Sequence, residues 1–277
     1  MSGKLYVVGT PVGNLEDMVP RAMQVLQSVN LVLAEDTRHS ANLFKQLGIS
    51  TSLQACHDHN EKKICTPLVE RMFAGEDMAL ISDAGTPLIS DPGYNLVKAA
   101  HEANIEVIPV PGACAAVLAL SAAGVSTDRF SFVGFPPAKT AARCKWLEEV
   151  AGFEHTIVFY EAPHRILDCL SQLADQLGSE RFVVVGREIT KKYESWYRGE
   201  VGMVVETIAS DSNHQRGEFV VVLEGVKRHL GADESQVRKF MQILLSELPV
   251  ARAASVVSKQ LGVSRQDCYR VGLEMTK

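Results

Sequence analysis

Through residues 1–225, short runs of β-branched and apolar residues alternate with longer stretches whose apolar positions recur at helical spacing. The short runs predict ten strands: "LYVVG", "LVLA", "SLQAC", "MALIS" and "IEVIPV" in the first half, then "FSFVGF", "HTIVFYE", "RFVVVGR", "SWYRGE" and "GEFVVVLEG" in the second. Strands separated by amphipathic helices predict an α/β fold with parallel sheets covered by helices. One such helix is "HRILDCLSQLADQL" from His164, which Gly178 should stop. The small and apolar stretch "ACAAVLALSAAGV" from Ala113 falls short of the roughly 20 residues that span a bilayer and reads as a buried helix, with no membrane association. The connection "GVSTDRF" that follows suggests a boundary near residues 115–125, giving an α/β domain over 1–118 and another over 119–228. At "KRHLGADES" the strand pattern ends, and three helical segments fill 233–277. The last two, "ARAASVVSKQLGVSRQDCYRVGLEM", have a helix-turn-helix layout: an Ala-rich helix, a turn at Gly262 and a second helix capped by Ser264. Val256, Leu261, Val263 and Tyr269 are its expected core, with Arg265, Gln266 and Arg270 facing outward.

A chain of 277 residues has room for two ordinary domains and an appendage, and no tract is biased enough to suggest disorder. The N-terminal apolar run, Leu5 to Val8, is too short for a signal-peptide core, so no export is expected. Six cysteines lie scattered without any CxxC, which suggests neither a disulfide framework nor a zinc ribbon and fits a reducing cytoplasm. The net charge of −5 is uneven: residues 227–277 carry nine Lys and Arg against five Asp and Glu, so the tail is the basic end of an otherwise acidic chain.

Three loops carry the candidate chemistry. "GTPVGN" after the first strand lacks GxGxxG spacing and has Pro11 where that turn needs a free N–H, and no GxxxxGK[ST] occurs anywhere. "LISDAGTPLISDPG", residues 80–93, repeats Ile-Ser-Asp and holds no Lys or Arg. At the C-terminal end of a strand it is a poor cradle for polyphosphate; its glycines allow close backbone approach and its prolines stiffen it, which suits a zwitterionic or cationic nucleoside. A tight turn with Ser90 or Asp91 capping the next helix is the plainer alternative. "PVPGACAA" brings small side chains to a helix start, with room for adenine or ribose, or simply for close packing of helix on sheet. "CHDHNEKK" offers His57 and His59 without a third spaced ligand, so no metal is expected; the loop should cap its helix through Asn60. "KKYESWYRG" from Lys191 interleaves cations with aromatics, a composition suited to RNA and equally to a half-exposed strand.

In order along the chain, the "GTPVGN" start, "AGTP", "VPGACAA", "VFYEAPHR" and "YRGE" resemble the tetrapyrrole-methylase superfamily of S-adenosylmethionine-dependent methyltransferases over about residues 4–226. Within it, "LAEDTRHSANLF", "LISDAGTPLISDPG", "FYEAPHR" and "RGEFVVVLEG" are similar to the branch that methylates the 2'-hydroxyl of a cytidine in 16S ribosomal RNA. The resemblance implies two α/β domains with the cofactor in the cleft between them. Pro11, Ala84, Gly85, Thr86, Ile89, Cys114 and Ala115 would come from the first domain; Tyr160 and Glu161 would lie near the methionine part and Gly199 beside the adenosine. Where many tetrapyrrole methylases carry Gly-Gly-Asp-Pro this chain has Ala84-Gly85-Thr86-Pro87, and Asp83 is the expected substitute for the missing carboxylate. The resemblance also implies the decoding centre of the 30S subunit as substrate, and a homodimer.

Methyl transfer from a sulfonium demands alignment above all, whereas a ribose hydroxyl needs a proton acceptor or a polarising hydrogen bond. The loop "AEDTR" supplies the expected pair, Asp36 as base or hydroxyl-positioning group and Arg38 on the adjacent phosphate, with Glu188 and Glu161 in reserve; an N-cap role for Asp36, shared with Thr37, is the alternative. Expected RNA contacts are Lys191, Lys192, Trp196 and Arg198, and Arg265 and Arg270 in the basic tail, which could instead be a dimerisation bundle. Two rival functions remain at this point: a methylase of a corrin or porphyrin precursor, and a non-catalytic DNA-binding regulator with a small-molecule sensor domain.

Overall fold

The computed structural model describes residues 2–226 and 234–276. The chain separates into two compact units, one ending at Gly225 and the other beginning at Val226.

The first half of the larger unit runs β1 (Lys4–Val8), α1 (Pro20–Ser28), β2 (Leu31–Ala34), α2 (Thr37–Leu47), β3 (Leu53–Ala55), α3 (Glu61–Phe73), β4 (Met78–Ile81), α4 (Tyr94–Glu102) and β5 (Glu106–Val110). Its strands form a wholly parallel sheet in the order β3-β2-β4-β1-β5. Both faces are buried, so the strands read as continuous apolar runs, and their side chains divide by alternation. Val32, Ala34, Ala79 and Ile81 face Ala22, Val25 and Leu26 of α1 and Phe44 of α2. Leu31, Leu33, Met78 and Leu80 face Cys65, Leu68 and Met72 of α3 and Leu96 and Ala100 of α4.

The second half runs α5 (Ala115–Ala123), β6 (Phe130–Phe132), α6 (Thr140–Ala151), β7 (Thr156–Glu161), α7 (Ile166–Leu177), β8 (Phe182–Arg187), β9 (Ser195–Glu200), α8 (Val201–Ala209) and β10 (Phe219–Leu223). The sheet order is β6-β7-β10-β8-β9. Only β6–β7 is parallel; β7–β10, β10–β8 and β8–β9 are antiparallel, which corrects the expectation of parallel sheets throughout. The reason is visible at β8 and β9: the connection 188–194 has no helix and is too short for the crossover that parallel neighbours require. As expected, α7 ends at Gly178, which is its C-cap. Helices α6, α7 and α8 cover one face of this sheet around Phe159, Val185 and Val221.

The other face is covered by α5. Ala116, Ala119, Leu120 and Ala123 pack on Val158, Val184, Val220 and Val222, so the helix that follows β5 leaves its own sheet for the second one. The boundary expected between 118 and 119 therefore falls inside a helix. At its C-terminal end, which closes on the left-handed Gly124, Arg198 of β9 donates from Nε to the Ala123 carbonyl (3.2 Å) and from Nη2 to that of Gly124 (3.4 Å).

The smaller unit holds α9 (Glu234–Leu245), α10 (Val250–Leu261) and α11 (Arg265–Met275). Gly262 is the left-handed C-cap of α10, and the Ser264 side chain caps α11 by accepting from the N–H groups of Gln266 and Asp267. Ala253, Ala254, Val257, Val263, Cys268 and Val271 form the core with Val237 and Met241. Leu261 packs against it, but Val256 and Tyr269 are exposed rather than buried as expected. Small residues set the contact faces: Ala253 and Ala254 turn α10 inward, and a Cβ at Gly272 would meet Met241 Cε at 2.5 Å, so α11 sits close on α9. Among the described residues no helix is long and apolar enough to cross a membrane.

Candidate cofactor and substrate site

Strands β4, β1 and β5 are adjacent, so the loops leaving their C-terminal ends meet, the usual place for a ligand in an open α/β sheet. Thr10 and Gly85 exchange backbone hydrogen bonds (2.8 and 3.1 Å), and Thr86 Oγ1 donates to the Ala113 carbonyl at 2.9 Å. Glycine is required where backbones touch: a Cβ on Gly9 would lie 2.8 Å from Gly112 Cα, and one on Gly112 would lie 2.6 Å from Gly9 Cα. Gly13 plays the same part across the cleft, pressed against Lys191 and Thr190 of the β8–β9 loop.

These loops and the edge of the second sheet enclose a cavity of about 450 Å³, within the usual range for small-molecule sites. Of the expected cofactor residues, Asp83, Ala84, Gly85, Thr86, Ile89, Cys114, Ala115, Tyr160 and Glu161 line it. Pro11 and Gly199 are outside the lining: Val12 takes the place of Pro11, and Gly199 sits in β9, an edge strand, opposite Val183. The lining also includes Glu35, Asp91, Phe135, Ile189 and Glu218, none of them expected as cavity residues. For Asp91 the signal was in the chain, since the repeated Ser-Asp puts both copies in one loop. For Glu35, next to the favoured Asp36, it lay one residue away. Neither Ser90 nor Asp91 caps α4; its N-cap is Gly93, with no side-chain bond.

Five acidic residues contribute to the lining, the Glu161 carboxyl itself being sealed, and among the described residues no Lys, Arg or His does. Four have partners that hold them. Glu161, whose side chain is 0 % exposed and so does not open on the cavity, binds Arg165 through Oε1 at 2.6 Å, accepts from its neighbour Ala162 N–H at 2.7 Å and has the Cys169 thiol beside it. Asp83 accepts from Asp36 N–H at 3.1 Å, and Glu35 accepts in return from the backbone of Asp83, so two loops clasp each other. Glu218 pairs with Lys191 at 2.9 Å. Asp91 lies beside Ser82, whose hydroxyl donates to the Ala84 and Gly85 carbonyls, and its strongest charged neighbours, Glu35, Asp83 and Asp58, are all acidic. Burial first, then those charges, push Asp91 up to about 6 against the lowering effect of the Ser82 hydroxyl. Burial and the carboxylates of Asp83 and Asp58 raise Glu35 as well. Tyr160 accepts from Ala116 N–H at 3.2 Å and stacks edge-to-face on Phe132 and Phe135; burial raises its phenol.

The expected base, Asp36, is differently placed. It is the N-cap of α2, accepting from Arg38 N–H at 2.8 Å, and the exposed Arg38 guanidinium covers both its oxygens. Those bonds hold its carboxyl far below the usual range, which weakens it as a proton acceptor and fits the N-cap alternative. Glu188, in reserve, is bound by Lys191 Nζ at 3.0 Å and by Glu218 N–H at 2.9 Å; these outweigh burial and keep its pKa lowered. It lies outside the cavity lining.

Of the expected RNA contacts, Lys191 is shared between Glu188 and Glu218, Trp196 Nε1 donates to Glu194 at 2.8 Å, and Arg198 caps α5 while lying over the Phe182 ring at 4.8 Å. Lys192 is exposed beside Tyr193. Arg265 and Arg270 are exposed on α11, Arg270 at 3.6 Å from Asp267. In the His57 loop, Asn60 does not cap α3 by its side chain; Oδ1 accepts from His57 N–H and Nδ2 donates to the Ala55 carbonyl, closing the loop on itself.

Residues 4–205 match the family of tetrapyrrole (corrin/porphyrin) methylases, and residues 231–276 match the RsmI C-terminal HTH domain. Ribosomal RNA small subunit methyltransferase I of Pseudomonas aeruginosa is 47 % identical over 99 % of this chain and 98 % of its own length. The proteins of that name from Pasteurella multocida (46 %, over 99 % and 98 %) and Escherichia coli O157:H7 (43 %, over 98 % and 95 %) are similar to it throughout. Among solved structures, the methyltransferase CobJ superposes with a TM-score of 0.60 at 18 % identity, covering 81 % of this chain and 95 % of that one. The uroporphyrin-III C-methyltransferase of Thermus thermophilus complexed with S-adenosyl homocysteine gives 0.55 at 18 %, covering 80 % and 97 %; at such identities the likeness concerns the fold. With its cavity built on the loops that carry the family's motifs, and with relatives matching from end to end, this chain belongs to the tetrapyrrole methylase family, in the branch of the ribosomal RNA small subunit methyltransferase I proteins.

Proposed function

We propose that this chain, an S-adenosylmethionine-dependent methyltransferase, methylates the 2'-hydroxyl of a cytidine in the decoding centre of 16S ribosomal RNA, on the 30S subunit. One observation carries the cofactor reading: a cavity at the strand ends whose lining includes Glu35, Asp83, Asp91 and Glu218 and, among the described residues, no cation, suited to a cationic nucleoside and hostile to polyphosphate. The relatives' names support ribosomal RNA as substrate.

The residues present fit the cofactor. Asp83, in the cavity lining at the end of β4, is the carboxylate offered to the cofactor's ammonium group. Gly85, at φ +85, presents its backbone where no side chain intervenes, and Cys114, Ala115 and Ile89 offer small and apolar surface to a nucleoside. When bound, the cofactor supplies a methyl group on a positively charged sulfur. The protein's task is to fix the angle of approach, exclude water and accept the hydroxyl proton. Loops locked to one another by Thr10, Thr86 and the Gly9–Gly112 contact serve the first need. Homodimerisation and a cytoplasmic location belong to the same reading; sedimentation of the full chain at twice its sequence mass checks the first.

The deciding experiment incubates the protein with methyl-labelled S-adenosylmethionine and either free 16S RNA or 30S particles, then digests the RNA to nucleosides. Label on the ribose of a single cytidine, on particles, is the expected result. Label on a base, or on a free tetrapyrrole and not on RNA, sinks it.

A further inference from the structure

We infer that Asp91 is the proton acceptor for the substrate hydroxyl, the role expected of Asp36; this rests on the 2'-hydroxyl reading above. Of the five acidic residues in the lining, Asp91 alone is held by neither a cation nor a backbone N–H. A carboxylate bound to Arg165 or Lys191 serves structure or cofactor charge, and the two that clasp the β2 and β4 loops are committed to backbone. The Ser82 hydroxyl beside it donates to the Ala84 and Gly85 carbonyls (3.4 and 3.3 Å) and so does not commit the Asp91 carboxyl.

Its placement is enforced. Leu88 (φ 72) and Ser90 (φ 71) take left-handed conformations on either side of Ile89, and Gly93 (φ 126) follows. Non-glycine residues in that region cost about 1 kcal/mol or more each and persist where surrounding structure overdetermines them, commonly at functional sites. The loop after β8 repeats the device, with Glu188 (φ 52) and Thr190 (φ 66) flanking Ile189 on the opposite wall. Two strained loops thus each put one isoleucine against the cavity, and the first sets Asp91 two residues beyond it.

The acidic surroundings set the proton affinity. Glu35, Asp83 and Asp58 face Asp91 from the β2, β4 and β3 loops, Tyr160 lies near it from β7, and His57 tempers Glu35. A carboxylate titrating near neutrality is a stronger base than an ordinary one and still ionised at the pH of the cell. In the step, the hydroxyl O–H bond breaks toward Asp91, its electron pair forms the bond from oxygen to the methyl carbon, and the carbon–sulfur pair leaves with sulfur. Asp91 then returns its proton to water.

The full-length protein tests this through Asp91→Asn and Asp91→Glu. Single-turnover methylation of 30S particles should fall by about 100-fold or more in Asp91→Asn and partly recover in Asp91→Glu. The wild-type rate should rise as pH climbs through about 6 and the Asn variant should lack that limb. Two readouts need no turnover: equilibrium binding of S-adenosylhomocysteine should change less than about threefold, and in carboxyl-labelled protein one aspartate resonance titrating near 6 should vanish in Asp91→Asn. A rate within about threefold of wild type with the acid limb intact overturns the assignment, as does loss of S-adenosylhomocysteine binding, which would make Asp91 a cofactor ligand. Wild-type product methylated on a base overturns the 2'-hydroxyl reading itself, whatever the variants do.

Discussion

Asp36 and Asp91 show how environment divides chemically identical side chains. Asp36 starts a helix beneath a guanidinium, and its value there is mechanical: Asp36→Ala should cost about 1 kcal/mol in urea unfolding, whereas Asp36→Asn, still able to cap, should be nearly neutral. Asp91 sits among like charges under partial burial, so the folded protein holds its proton more tightly than the unfolded chain does. A raised carboxyl contributes stability that is complete below its ordinary pKa and lost as pH rises through the folded value. The apoprotein should therefore melt a few degrees lower at pH 7.5 than at pH 5 from this source, and Asp91→Asn should flatten that slope, as calorimetry can check. The same charge should make the cationic S-adenosylmethionine bind more tightly as pH rises through about 6, with neutral-sulfur S-adenosylhomocysteine less affected. Little of this separation was legible in the sequence. "AEDTR" and "LISDPG" both offer an aspartate at a loop end; Arg38 stands two residues from the first, but the acidic neighbours of the second, Glu35, Asp58 and Asp83, come from three different loops.

Among elements, the strands were the legible part, because a sheet buried on both faces must be written in unbroken apolar runs. Their direction was not. Parallel and antiparallel neighbours use the same side chains, and the β8–β9 connection reveals its geometry only by its length. Loops were half legible: the glycines of residues 80–93 pointed to close backbone approach and "VPGACAA" to small side chains at a helix start, but that Gly9 would meet Gly112 required the sheet order. Since each glycine occupies the space a methyl on the other would need, Gly112→Ala should force the first and third loops apart. A loss of cofactor affinity of about tenfold or more in titration calorimetry, with the helical circular dichroism retained, is the expected outcome. In the small unit, helix existence and caps were readable, whereas the buried face was misassigned where alanines, not the larger Val256 and Tyr269, make the contact.

For the whole molecule, charge separates what packing joins in sequence: an acidic α/β unit with an acidic cavity, and a basic helical unit. An acidic surface repels RNA, so affinity must come from cations elsewhere, and α11 displays Arg265 and Arg270. Truncation after Val226 should leave S-adenosylhomocysteine binding within about twofold and weaken RNA binding by about tenfold or more. Arg265→Ala with Arg270→Ala should lower the salt dependence of RNA binding by about one phosphate contact each. Unchanged RNA affinity after truncation would assign the helices to dimerisation instead.

Helix α5 bears on how the larger unit can be dissected. It is wired in sequence to the parallel sheet but lends its alanine stripe to the mixed one, where Arg198 pins its far end. Severing the polypeptide at Gly124, where the pattern of residues invites a cut, would strip Val158, Val184, Val220 and Val222 of their cover and leave the other fragment trailing a greasy peptide. Pieces meant to survive separately, or to be reassembled as a split enzyme, have their natural seam earlier, between Gly112 and Cys114.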